Sequence, residues 1–99
     1  MHVIIWEFVP RAGREADFEN AYGPAGLWVE FFRQGDGYGG TEFLRHSLEP
    51  GRYATIDHWD SAAHYQSFRD QHAAEYQALD EQCEQLTAEE RYIGSYDTF

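Results

Sequence analysis

Lysine is absent from this sequence, cysteine occurs once, at Cys83, and proline only three times. A single thiol excludes an internal disulfide, a cysteine-based zinc cluster and a dithiol redox pair, and it fits a reducing, cytoplasmic setting. Positive charge is scarce as well: seven basic residues, all arginine, stand against 18 acidic ones, for a formal net charge of −11. A surface of that sign repels phosphate backbones and anionic lipid, so neither nucleic acid nor a membrane is an expected partner. The apolar start, MHVIIWEFVP, lacks a basic leader and falls far short of the roughly 20 residues a spanning helix needs. It reads as a first strand.

What is plentiful is aromatic surface, and it has to be buried. A chain of 99 residues offers a single core, so one domain over residues 1–99 is expected. From His2 to Val9 nearly every residue is apolar, which predicts a strand buried on both faces and ended by Pro10. Phe18 and Tyr22, one helical turn apart, predict a short helix broken by Gly23-Pro24. The pairs Leu27/Phe31 and Trp28/Phe32 predict a second.

Residues 38–48 are strand-like at their later end, and Glu49-Pro50-Gly51-Arg52 predicts a tight turn into a third strand. The Gly37 to Gly40 cluster precedes no helix and has no lysine, so it is not a phosphate cradle; a flexible turn or lid is expected. Along Arg52 to Trp59 the period is two: Tyr53, Thr55, Asp57 and Trp59 face one way, Ala54, Ile56 and His58 the other. Asp60 and Ser61 can then cap a helix.

Downstream, Tyr65, Phe68, His72, Tyr76, Leu79, Cys83 and Leu86 recur at spacings of three and four, the mark of one helix or of two with a slight break. Thr87 and Glu90 have capping-box spacing and predict a short turn, with Arg91 to Phe99 as the last strand. The order predicts an α+β, ferredoxin-like βαββαβ fold with a four-stranded antiparallel sheet covered by helices on one face. The bare face, with apolar residues on both sides of the first strand, predicts a homodimer packed sheet against sheet.

Tyr22-Gly23-Pro24, Gly26, Trp28, Phe32, the run Gly37-Tyr38-Gly39-Gly40-Thr41-Glu42, Arg52-Tyr53 with Thr55-Ile56-Asp57, Trp59, Ser61 and Ile93-Gly94 together resemble the antibiotic biosynthesis monooxygenase family. The resemblance covers nearly the whole chain. It implies a dimeric α+β barrel with one pocket per protomer between sheet and helices, and oxygenation of phenolic or quinol substrates without metal or flavin. Relatives in the same superfamily degrade haem with a first-strand asparagine, a third-strand tryptophan and a helical histidine. Trp59 matches that tryptophan, but Glu7 stands near the asparagine's place and nothing in the sequence ties His72 to the histidine, which makes haem degradation the less favoured expectation.

Oxygenation without a cofactor needs an electron-rich aromatic substrate, a base to make it an anion, and exclusion of water. Asp57 is the candidate base if burial raises its pKa, with Trp59 on the same face as the second candidate catalytic residue. Arg45 on the facing strand is a candidate for binding a phenolate or carboxylate, with Tyr65, His72 and Trp28 around the pocket. A plainer reading competes: Asp57 and Arg45 as a structural ion pair, Trp59 as a core plug, and His72 at a break between helices. No histidine spacing suggests a metal. The expected partner is a small aromatic or quinol ligand, and the competing class is a non-catalytic homodimeric binding protein of the same fold.

Overall fold

The computed structural model describes the whole chain, Met1–Phe99. Strands β1 (His2–Pro10), β2 (Tyr38–Arg45), β3 (Tyr53–Trp59) and β4 (Thr87–Asp97) form one antiparallel sheet in the order β2-β3-β1-β4. Helices α1 (Glu15–Tyr22), α2 (Leu27–Phe32), α3 (Ala62–Gln71) and α4 (Ala73–Cys83), with a 3-10 turn over Glu84–Leu86, connect the strands. The architecture is the ferredoxin-like α+β arrangement that the element order predicts.

Alternation along the two central strands decides where the helices sit. Ile4 and Phe8 of β1, and Thr55, Asp57 and Trp59 of β3, are buried, while their neighbours Val3, Ile5, Ala54, Ile56 and His58 are only half-buried. The buried side meets Phe18, Ala21 and Tyr22 of α1, Trp28, Phe31 and Phe32 of α2, and Phe68 of α3. Each aromatic ring so buried contributes on the order of 2–3 kcal/mol from area alone. Tilted and edge-on contacts such as Phe31–Phe68, at 4.9 Å between ring centroids, add to it. No helix is long and apolar enough to cross a membrane.

Local signals place most boundaries. Ser61 caps α3, its hydroxyl accepting the His64 amide N–H at 3.1 Å. The long apolar stripe breaks at His72, whose φ of −119° and ψ of 29° leave helical geometry, so it forms two helices.

Three expectations are corrected. Within one protomer β1 is covered on one face only, the face on which all the helices lie. The Thr87 to Glu90 segment is not a turn but the start of β4: Thr87, Glu89 and Glu90 pair with Pro10, Val9 and Phe8, and ladder bonds outweigh a local cap. The glycine cluster is not a lid either. The Gly37 carbonyl accepts the Asp60 N–H at 2.7 Å, and Gly39 and Gly40 lie within β2, where the register with β3 shifts by one residue. Gly37 takes φ of 86°, and a Cβ there would stand 2.7 Å from the His64 ring, so no other residue fits easily.

Candidate functional site

The polar face of β3 delivers Thr55 and Asp57 to a cavity of about 300 Å³ between the sheet and the helices. Trp6, Phe8 and Thr41 complete its floor, and Tyr22, Trp28, Val29 and Phe32 form its roof. Arg69, Tyr76, Asp80 and Glu90 also line it, the two acids being solvent-exposed and so forming its rim. Such a space is at the small end of ligand sites and has their usual make-up, aromatic walls with a few convergent polar groups.

Asp57 sits deep, with 8% of its surface exposed. Burial pushes its carboxyl up to about 6, against the Thr41 hydrogen bond and the nearby His58, which both favour the anion. The Thr41 hydroxyl donates to Oδ1 of Asp57 at 2.6 Å, and a second 2.6 Å bond joins it to the Tyr38 hydroxyl. A hydroxyl has one proton to give, so with Thr41 donating to Asp57 the Tyr38 O–H must donate to Thr41. Oδ2 of Asp57 receives no hydrogen bond from the protein. A carboxylate with one oxygen held and the other free, titrating near neutrality in an aromatic cavity, can take and return a proton.

At the rim, Arg69 lies 3.7 Å over the Tyr76 ring and donates to the Tyr65 hydroxyl at 2.9 Å. Burial, with help from neighbouring charges, raises the Tyr76 phenol well above its ordinary value. Burial also raises Glu90, reinforced by the like charge of Asp80. The Tyr22 hydroxyl, itself pushed up mainly by burial, donates to Glu90 at 3.3 Å. In the roof, the Trp28 indole N–H is buried and unpaired; the Tyr22 hydroxyl and Cys83 sulfur feel its field without meeting hydrogen-bond geometry.

Of the six residues singled out from the sequence, Asp57 and Trp28 border the cavity and the other four do not. Trp59 is fully buried beside it, packed by Phe32, Tyr38, Tyr65 and Phe68, with its indole N–H unpaired. It is a core plug that touches the Tyr38 end of the hydrogen-bonded line, with ring centroids 5.3 Å apart. Arg45 is exposed near the far end of β2, opposite Tyr53, and makes no ion pair with Asp57. Tyr65 acts one step removed, as the acceptor of Arg69. His72 meets Glu75 at 3.0 Å and packs its ring on Phe68, outside the cavity.

Strand alternation points to Asp57 and equally to Thr55. Nothing local marks Thr41, which the β2–β3 register alone brings opposite Asp57. Arg69 follows Phe68 directly, off the apolar stripe, where an arginine looks like any solvated charge. Glu90 falls in the segment whose capping-box spacing predicts a turn, and that spacing hides it.

Glu7 points to the helix-free face, where Arg91 pairs with it and Arg52 approaches within 4.0 Å. No histidine borders the cavity, so none stands ready there as an axial ligand to haem. Nor do three His, Cys, Asp or Glu side chains anywhere converge on a possible metal position.

No protein-family profile matches this sequence, and no curated protein matches it. Solved structures do. A variant of SnoaB, a cofactor-independent oxygenase from Streptomyces nogalater, superposes with a TM-score of 0.80 at 15% identity, over 98% of this chain and 91% of that one. A protein assigned as an antibiotic biosynthesis monooxygenase from Bordetella bronchiseptica gives 0.78 at 22% identity, over 99% and 96%. A variant of MhuD with two manganese protoporphyrin IX molecules bound per active site gives 0.72 at 17%, over 99% and 94%. From end to end, this chain has the ferredoxin-like α+β fold of solved antibiotic biosynthesis monooxygenases.

Proposed function

We propose that this protein is a monooxygenase that acts without metal or flavin on a small aromatic or quinol substrate in the cavity, with Asp57 as the base. One observation carries the reading: a buried carboxyl titrating near 6, with a free oxygen, in an aromatic-walled space. Likeness of fold to a cofactor-independent oxygenase supports it.

Asp57 accepts the proton of a phenolic hydroxyl, and the phenolate passes one electron to dioxygen. The resulting phenoxyl radical and superoxide combine at a ring carbon ortho or para to the oxygen, one that still carries hydrogen. Protonated by Asp57, the peroxide loses water and leaves a quinone. One oxygen atom enters the product, the other leaves as water with two substrate hydrogens, and Asp57 ends as it began. The aromatic walls keep bulk water from the radical pair. Trp28 offers a face for the ring. Trp59 is a positioning residue in this scheme: its packing fixes Tyr38, and through Tyr38 and Thr41 the carboxylate.

Oxygen uptake with a panel of phenols and dihydroquinones tests the reading. Turnover by purified protein should fall at least about 100-fold in Asp57→Asn, the usual scale for a lost general base. Ligands that bind without any turnover across the panel would instead leave a non-catalytic binding protein.

The proposal extends to a homodimer. Val3, Ile5, Ala54 and Ile56 are half-buried on the helix-free face, and Leu44 and Tyr96 are exposed there. In a lone protomer that apolar sheet surface faces water, and a second copy would cover it.

A further inference from the structure

The charges around the cavity do not balance. Asp57, Asp80 and Glu90 line it against one cation, Arg69. That guanidinium is already committed to the Tyr76 ring and the Tyr65 hydroxyl and forms no salt bridge with any of the three acids. Asp57 is more than nine-tenths buried with one oxygen unpartnered toward the cavity. Asp80 has no side-chain partner, and Glu90 has only the long bond from Tyr22. Between them stand the rings of Trp6, Phe8, Tyr22 and Trp28, whose electron-rich faces attract cations. The whole chain, at −11, draws cations in and turns anions away.

Resting on the reading of this cavity as the ligand site, we propose that its ligand is a phenol carrying a protonated amine on a short arm, the hydroxyl meeting Asp57 and the ammonium meeting Glu90 at the rim.

Sheet geometry sets the spacing. Asp57 pairs with Ile4 and Glu90 with Phe8, on opposite sides of β1. The two α-carbons are therefore two strand spacings and four residues apart, roughly 16 Å. Both side chains border the same cavity, and the span between them is of the order of one ring and an arm held by a hydrogen bond at each end. The ammonium relieves the repulsion between Asp80 and Glu90, and its field stabilises the phenolate that Asp57 creates. A carboxylate on the ligand would meet the opposite: two acids at the rim.

Binding of three probes that share one ring, followed by calorimetry and tryptophan quenching at fixed salt, tests this: tyramine, neutral 4-ethylphenol, and 3-(4-hydroxyphenyl)propionate. Tyramine should bind at least about 10-fold more tightly than 4-ethylphenol and the propionate more weakly than both. The preference for tyramine should vanish in Glu90→Gln and persist in Glu81→Gln, which removes the same charge from an exposed position on α4. Thermal melts establish that both variants are folded. Equal binding of tyramine and 4-ethylphenol, or tightest binding of the propionate, would overturn the amine proposal and leave the cavity reading intact. No binding of any probe removes both.

Discussion

Thr41 and Asp57 stand opposite each other across the β2–β3 ladder, and the threonine hydroxyl donates to the carboxylate at 2.6 Å. Neither residue is unusual alone. Together, with Tyr38 behind them, they hold a buried acid in one orientation while leaving its other oxygen free.

The first prediction concerns pH. The folded state holds the Asp57 proton up to about pH 6, whereas the same group ordinarily loses it near 3.8. Between those values the native state binds more proton than the unfolded one, so stability conferred below pH 3.8 is lost as pH rises through 6. A gap of that width corresponds to about 3 kcal/mol at most. Asp57→Asn keeps the acceptor for Thr41 and removes that cost. It should be more stable than wild type at pH 7 and gain nothing at pH 4, measured by urea unfolding. Oxygen uptake by wild type should rise with pH through a midpoint near 6.

Thr41→Val tests the hydroxyl. The bond from Thr41 favours the Asp57 anion, so its loss should move the midpoint of the pH–rate profile upward. Stability at pH 7 should fall by about 1 kcal/mol, with the orphaned Tyr38 hydroxyl sharing the effect. An unmoved midpoint would mean that Asp57 is not the group titrating in the profile.

Trp59 is fully buried among four aromatic rings. Trp59→Ala should cost about 3–5 kcal/mol, the range for emptying so large a site. Trp59→Phe should cost less, because it also removes a buried N–H that has no partner. Its binding of 4-ethylphenol should stay within about twofold of wild type, since a core plug touches no ligand. A larger loss in folded protein would place the indole in contact with the ligand after all.

Ile56→Glu probes the helix-free face. Ile56 pairs with Ile5 at the middle of the sheet and points away from the helices. A carboxylate there should convert the proposed dimer to monomer in light scattering, since burying it without a partner costs several kcal/mol. A wild-type protein that is monomeric at micromolar concentration would refute the pairing.

The sequence alone carried the fold and one face of the site. Strict alternation in β3 put Asp57 and Trp59 on one side, and the three-and-four spacing from Tyr65 to Leu86 required helices to cover it. Both are properties of local backbone geometry, where a period of two or 3.6 is written into neighbouring residues. The same period could not say that Asp57 opens on a cavity while Trp59, two residues on, is sealed in packing. That difference arises from what lies across from each: Thr41 and empty space in one case, Phe32, Tyr38, Tyr65 and Phe68 in the other. Nor could it join Arg69 and Glu90 to the site. They come from segments separated by α4 and the 3-10 turn, and both line one cavity only because β4 pairs with β1, which sets Glu90 opposite Phe8, rather than beginning with a turn. Chain neighbours determined which way each side chain points; what it points at was decided by strand register and the packing of helices on the sheet, which depend on residues far apart in the chain.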